Sequence, residues 1–279
     1  MLISEAHPFH PLFTCPAMST LLIDDSHAGV RIITLNRPER LNALDGPTLE
    51  HFIATVRECS APGKDIRVIV VRGAGRAFSP GADLKWLATG VLADTAAHLH
   101  FQDRLQEMCE TLEAAPQAVI ASVHGFALAG GMELALSCDI IVAAEDAELG
   151  DEHMRRNLLP GGGGSQRLPR KIGLARGMYY LLTGRRMRGT EAERIGLVSL
   201  AVPAAELVDA TLKLADEMAR TDAHALAAMK LMVRRGLEMP LREGLWLERW
   251  MQHRYRAESP AMDSGVAKFA AHGKTGAPS

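Results

Sequence analysis

The pattern of apolar and polar positions divides the chain into two unequal parts. In the first two-thirds, short apolar runs alternate with segments whose apolar residues recur at helical spacing. VRIITL (30–35), RVIVVRG (67–73), AVIASVHG (118–125) and DIIVAAE (139–145) read as strands. Between them, LDGPTLEHFIATVRECS (44–60), HLHFQDRLQEMCETLEA (98–114) and GGMELALSC (130–138) read as helices. Pro47 falls near the start of the first helix, where the missing N–H costs little, and Pro116 stops the second. Strands alternating with helices in this way predict an α/β architecture. From about residue 204 the strands stop. AELVDATLKLADEMAR (205–220), DAHALAAMKLMVRRGLE (222–238) and LREGLWLERWMQHRYRAE (241–258) all carry helical patterns. A helical tail of this kind cannot bury all its apolar faces by itself, so it is expected to pack on the main domain or on another subunit. The expected organisation is an α/β domain over residues 18–203 and a helical region over 204–279. Residues 1–17 are expected to be a disordered or upstream-start extension, because the strand pattern begins only after Met18.

Composition narrows the functional classes. The 279 residues are 47% hydrophobic and 23% charged, the balance of a globular chain with a sizeable core. A formal net charge of −2, with no long basic run, provides no electrostatic footprint for nucleic acid. No apolar stretch is long enough to cross a bilayer, and the first residues lack the basic start and apolar run of a signal peptide. The four cysteines (Cys15, Cys59, Cys109, Cys138) are scattered, without a CxxC pair, so reduced thiols in a cytoplasmic protein are expected. The eleven histidines form no HExxH or HxH pattern, and no metal site is expected. The chemistry therefore belongs with small molecules.

Three segments place glycine and other small residues where a strand ends and a helix begins: AFSPGADLKWL (77–87), GFALAGGMELAL (125–136) and LLPGGGGSQRLPR (158–170). Glycine there lets the backbone turn tightly and approach a ligand, and the first N–H groups of a helix have no intrahelical partner. Two such helix starts facing one pocket would make an oxyanion hole. Taken singly, each cluster reads better as an ordinary tight turn. Neither a dinucleotide fingerprint nor a phosphate loop is complete, since GAGRAFSPG lacks the third glycine and PGGGGSQR lacks GK[ST].

Together with NRPERLNAL (36–44), and in this order, the AFSPGADLK, GFALAGGMELALSCDI (125–140) and LLPGGGGSQRL (158–168) segments resemble the crotonase, or enoyl-CoA hydratase/isomerase, family. The likeness runs from about residue 20 to the end and includes RIGLV (194–198). It implies a crotonase-like ββα spiral core with a C-terminal α-helical trimerisation region. It also implies an acyl-CoA thioester as the substrate, with coenzyme A as part of that substrate and no separate cofactor. By the same resemblance, the backbone N–H groups of Ala82 and Gly130 would hold the thioester oxygen as it gains charge. Losing one such donor typically costs roughly 3 kcal/mol of transition-state stabilisation. Coenzyme A contacts are implied for Arg40, Leu41 and Ala43 in one segment and for Ser79, Asp83, Leu84 and Lys85 in another. Arg40 and Lys85 suit phosphate groups, or are simply solvated cations. Near the C-terminus, Phe269 matches an aromatic contact to the nucleotide, with Lys274 or His272 as its basic companion.

Enoyl-CoA hydratases of the family use two glutamates. Glu133 matches the first, three residues after Gly130 and on the first turn of a helix, where a carboxylate also suits the macrodipole. The second falls seven residues before Pro160, at His153, so the sequence departs from the family there. It departs again at Glu152, where the family has proline, and at Asn157, where it has glycine. A histidine transfers protons near neutral pH without a large shift, or serves only as a polar lining residue. Asp151 and Glu152 are ranked below His153, on the ground that sequence neighbours point in different directions. Asp139 reads as a structural carboxylate and His124 as a strand-end residue without chemistry.

The leading expectation is hydration of a 2-enoyl-CoA by Glu133 with His153. Double-bond isomerisation, or a hydrolase or decarboxylase reaction with a single acid/base, is the alternative. A non-catalytic CoA-thioester binder is disfavoured, because such a protein has no need for Glu133. The resemblance also implies a homotrimer or a hexamer built from two trimers. Trp246 and Trp250, four apart on one helix face, fit a subunit contact or an intramolecular core contact equally well.

Overall fold

The computed structural model describes residues 19–272. Residues 1–17 and Lys274 lie outside the described residues. One sheet of six strands forms the centre, in the order β1-β2-β3-β4-β6-β9. Its members are β1 (Leu21–Asp24), β2 (Val30–Leu35), β3 (Val68–Gly73), β4 (Ala118–Val123), β6 (Ile140–Ala144) and β9 (Leu200–Val202). Only the β1–β2 pair is antiparallel. Every residue of β2 and β4 is buried, which explains why these strands read as near-continuous apolar runs rather than as alternation.

A second, smaller sheet is built from β5 (Phe126–Leu128), β7 (Glu148–Gly150) and β8 (Met187–Arg188). Isolated parallel bridges, Ser79 with Ala127 and Leu44 with Ala82, extend this layer. The chain thus repeats one unit, a strand in the large sheet, a short extended piece in the second layer, and then a helix. β3 leads through Ser79 to α2 (Leu84–Trp86) and α3 (Thr95–Ala114), and β4 leads through β5 to α4 (Gly130–Ser137). β6 leads through β7 to α5 (Gly164–Ile172) and α6 (Leu174–Thr183). This is the ββα spiral.

Helix α1 (Gly46–Glu58) begins at an Asp45 cap, whose carboxylate accepts the Thr48 N–H at 2.9 Å, and it packs against α3. Its Leu49, Phe52, Ile53 and Val56 are buried, each stabilising the fold by about 1.5–3 kcal/mol relative to exposure. After α7 (Gly189–Arg194) and β9, α8 (Leu207–Ala219) lies across β3, β4 and β6. Helices α9 (Ala223–Gly236) and α10 (Leu241–Glu258) pair with each other, and α11 (Ala261–His272) packs on α10. α9 is tied back to the main body by charge. Lys230 and Arg234 reach Asp139 at 2.9 and 2.7 Å, while Asp139 also accepts the Val119 N–H, so Asp139 is the structural carboxylate expected.

Trp246 and Trp250 are 62% and 57% exposed within this chain, which removes the intramolecular-core reading of that pair. Arg254 stacks over Trp250 at 5.7 Å. Cys59, Cys109 and Cys138 are free and buried. No helix among the described residues is long and apolar enough to cross a membrane.

Candidate active site

The two expected oxyanion donors sit on adjacent layers of the spiral. Ala82 follows Gly81, whose backbone at φ +94° lies against Gly130, and a Cβ placed on Gly81 would come within 2.6 Å of the Gly130 nitrogen. A Cβ on Gly130 would in turn lie 3.5 Å from the Ala82 nitrogen. The two N–H groups are therefore near neighbours. Neither donates a turn, loop or cap bond to a backbone carbonyl among the described residues, although the groups around them do. Leu44 N–H donates to Gly81 at 2.8 Å, and Asp83 N–H donates to Leu44 at 2.8 Å.

This corner is rigid because a polar network buttresses it. Asn42, in the left-handed region at φ 64°, accepts the Arg37 N–H and donates to the Ala74 and Ala77 carbonyls. Ser79 Oγ donates to the Asn42 carbonyl at 2.9 Å and accepts the Gly81 N–H. Arg37 bridges Asp45 and Asp83, each at 2.9 Å. Asp83 also caps α2 through the Lys85 and Trp86 N–H groups, and its carboxyl is held below its ordinary range, the cap and the arginines outweighing burial. The side chains of Ser79 and Asp83 are thus committed to the scaffold. Arg40, Leu84 and Lys85 are exposed beside them, Leu41 is half-buried and Ala43 is buried. Phe269, on α11, is 82% exposed.

Ala129 precedes Gly130 and adopts φ 46°, ψ −120°, a conformation that disfavours a side chain. Ala129→Gly should release about 1–3 kcal/mol of strain against about 0.4–1 kcal/mol of added unfolded-chain entropy. A net gain of about 1 kcal/mol in urea-unfolding free energy is the expected outcome.

Glu133 lies one turn into α4 with its N–H donating to Ala129, and it is fully buried. Oε1 accepts the Gly164 N–H at 2.8 Å, while Oε2 is buried with no partner among the described residues. Burial raises its carboxyl above the usual glutamate range. The Gly164 N–H and the charge of His153 act against that rise, and the charge of Asp151 adds to it. A carboxyl so placed is suited to exchanging protons rather than to forming a permanent ion pair.

The loop of residues 161–164 closes over Glu133 at backbone distance. A Cβ on Gly162 would lie 2.9 Å from Glu133 Oε2, and one on Gly164 would overlap Asp151 Oδ2. Arg167 holds this loop by donating to the Gly162 carbonyl at 2.6 Å and to both oxygens of Glu113. Gln102, from α3, places its buried and unpartnered Oε1 against Gly161.

His153 begins a 3-10 turn (His153–Arg156) and is largely buried. Its Nδ1 lies 2.8 Å from Asp151 Oδ1. Burial alone would lower its pKa, but the bond to Asp151 and the charges of Asp151 and Glu133 outweigh it, so the net direction is upward. Asp151 turns into the same pocket as His153. β7 ends at Gly150, and Glu152 then takes a left-handed φ of 51°, interrupting the alternation that would have separated these side chains. Glu152 itself is engaged elsewhere, by Arg186 at 2.5 Å and Arg155 at 3.4 Å. His124 meets the Gly75 carbonyl at 2.9 Å, outside this cluster.

Of the residues gathered around Glu133 and His153, Asp151 was ranked low from the sequence, and Arg167 and Gln102 were not singled out. The i, i+2 spacing of Asp151 and His153 was the available signal for the first; the other two had none beyond proximity to a glycine loop or a helix face. Among the described residues, no three His, Cys, Asp or Glu side chains converge closely enough to hold a metal ion. A groove of about 680 Å³ between α1 and α3, lined by Arg57, Arg104 and Glu107, shares none of the residues described above.

Known proteins resemble this chain along most of its length. The sequence model of the enoyl-CoA hydratase/isomerase family matches residues 25–276. A Mycobacterium tuberculosis protein named "Probable enoyl-CoA hydratase" is 40% identical over 251 residues, covering 90% of this chain and 94% of the relative. The 2,3-dehydroadipyl-CoA hydratase of Escherichia coli is 36% identical, covering 83% and 88%. The crystal structure of an enoyl-CoA hydratase from Bacillus anthracis superposes with a TM-score of 0.86 at 32% identity, covering 91% of this chain and 97% of that one. The chain therefore belongs to the enoyl-CoA hydratase/isomerase family and has the crotonase fold.

Proposed function

We propose that this enzyme adds water across the double bond of a 2-enoyl-CoA thioester, with Glu133 and His153 as its acid/base pair. The observation that carries the reading is the placement of Glu133 on the first turn that follows the Gly130 N–H, with Oε2 buried and unpartnered and with Gly164 packed against both Glu133 and the Asp151 that bonds His153. In this reading the thioester oxygen lies between the Ala82 and Gly130 N–H groups, which stabilise the charge it gains. Glu133 takes a proton from water as the water oxygen bonds to C3. The C2–C3 π electrons move toward the thioester, giving the enolate. His153 delivers a proton to C2, the enolate collapses to the 3-hydroxyacyl thioester, and the Glu133 proton returns to the histidine to restore the site. The sum is one enoyl thioester and one water consumed.

Coenzyme A contacts are assigned to the Arg40–Ala43 and Ser79–Lys85 segments, with Arg40 and Lys85 as the exposed cations available to phosphate. The exposed Trp246 and Trp250 support assembly of copies through the helical region, and trimers are the assembly proposed. Incubation with crotonyl-CoA and with a 3-enoyl-CoA, followed by mass spectrometry, tests the reaction. A product heavier by one water from crotonyl-CoA is expected. An isomer of unchanged mass from the 3-enoyl substrate, with no water added to crotonyl-CoA, would replace hydration by double-bond migration.

A further inference from the structure

We propose that Asp151 is a positioning residue for His153, keeping a proton on Nδ1 and leaving Nε2 as the atom that exchanges protons with the substrate. The inference deepens the acid/base assignment above, and its kinetic arm rests on that assignment. The geometry points to it in three ways. Asp151 Oδ1 is 2.8 Å from Nδ1, and an ionised carboxylate only accepts, so the shared hydrogen belongs to the ring. Nε2 makes no hydrogen bond among the described residues. The dyad also sits in a packed corner: Asp151 is buried against the Gly164 backbone, with Oδ2 making no hydrogen bond among the described residues, and the left-handed Glu152 between the two residues is anchored by Arg186. The histidine that stands where hydratases of the family carry a second glutamate is thus part of a histidine–carboxylate pair.

The charged groups around His153 are few. Asp151 faces it from the end of β7 and Glu133 from α4, both favouring the protonated ring. Arg155 and Arg156 in its own turn, and Arg176 on the adjoining α6, are exposed. With Asp151 replaced by Asn, burial, already the largest influence, is opposed by the Glu133 charge without the Asp151 charge, and the ring should lose its proton at lower pH. An asparagine also offers Nδ1 a donor as readily as an acceptor, so the tautomer is no longer fixed.

Histidine-selective NMR on ¹⁵N,¹³C-labelled protein tests this without reference to catalysis. In the wild-type enzyme, the neutral form of His153 is expected to carry its proton on Nδ1. In Asp151→Asn its titration is expected to move to lower pH. In hydration assays, kcat should fall by about 10²-fold with KM changed less than about threefold, and the alkaline limb of the rate profile should move to lower pH. A neutral His153 protonated on Nε2 in the wild type would overturn the proposal, as would a titration unmoved in Asp151→Asn. Should the Asn variant not fold, the wild-type tautomer still decides. His153→Ala separates the two readings: unimpaired hydration there removes His153 from the acid/base pair, while the NMR result still judges the dyad.

Discussion

Glu133→Gln is expected to lower kcat for enoyl-CoA hydration by about 10³-fold or more, while leaving the fold intact or slightly more stable. The activity loss follows from what the substitution keeps and removes. Gln is isosteric, and its Oε1 still accepts the Gly164 N–H that Glu133 accepts at 2.8 Å. The glycine loop over the site therefore stays in register. What disappears is a group able to take a proton from water, a function typically contributing about 10²–10⁴-fold. KM should change little, because neither the scaffold beneath the Arg40–Ala43 and Ser79–Lys85 segments nor the two N–H donors touch this carboxyl.

The stability half of the prediction has a definite sign. Glu133 has a folded-state pKa above its ordinary 4.5, chiefly through burial. The folded protein therefore binds this proton more tightly than the unfolded chain does. Below pH 4.5 the carboxyl is protonated in both states and makes no difference; as pH rises through its folded pKa, the folded state loses stability by ionising a buried group. Protonated His153 offsets part of that loss and ceases to do so once it too titrates. The unfolding free energy of Glu133→Gln, measured in urea across pH, should match wild type in acid and exceed it by a growing margin toward alkaline pH. A variant with wild-type kcat would remove Glu133 from the mechanism.

The four central strands of the large sheet and the helical tail were legible in the sequence because their signals are long and redundant. β2 and β4 are buried along their whole length and read as apolar runs. Helix α9 was expected over 222–238 and spans Ala223–Gly236, starting where the Asp222 carboxylate accepts the Ala225 N–H. The second layer was not legible. β5 and β7 have three residues each and β8 has two, too few for a period-2 pattern to emerge, and the Ser79–Ala127 contact is a single bridge. That layer is what brings Ala82 beside Gly130, so the proximity of the two donors rested on resemblance rather than on periodicity.

The proposed acid/base pair shows the same boundary. Glu133 and His153 both came from the resemblance, as the positions matching the family's two glutamates. Asp151 did not follow, because its direction depends on the left-handed Glu152. Glutamate has no preference for that conformation, and its side chain is gripped there by Arg155 and by Arg186, the latter thirty-four positions away in sequence. Long-range contacts that set a local dihedral leave no local trace.

Gly81→Ala is the second large effect expected, and it reaches the proposed oxyanion donors, which are backbone N–H groups that no side-chain truncation removes. Gly81 sits at φ +94°, and an added Cβ would come within 2.6 Å of the Gly130 nitrogen and 3.0 Å of the Leu128 carbonyl oxygen. Those neighbours are backbone and cannot swing aside as a flexible side chain would. The layer carrying Ala82 must move away from the start of α4, widening the gap between the two N–H groups. Loss of one such donor costs about 10²–10³-fold in kcat, and Gly81→Ala should fall in that range. Left-handed strain by itself would also lower stability, so a control is needed that carries the strain without the contact. Gly63 provides it: φ is +83°, and a Cβ there would meet nothing within 4 Å. Gly63→Ala should lose about 1 kcal/mol of stability and retain wild-type kcat. Gly81→Ala should lose at least as much stability and nearly all activity, with KM much less affected. Equal, modest kcat losses in both variants would mean that the Ala82–Gly130 spacing does not control turnover.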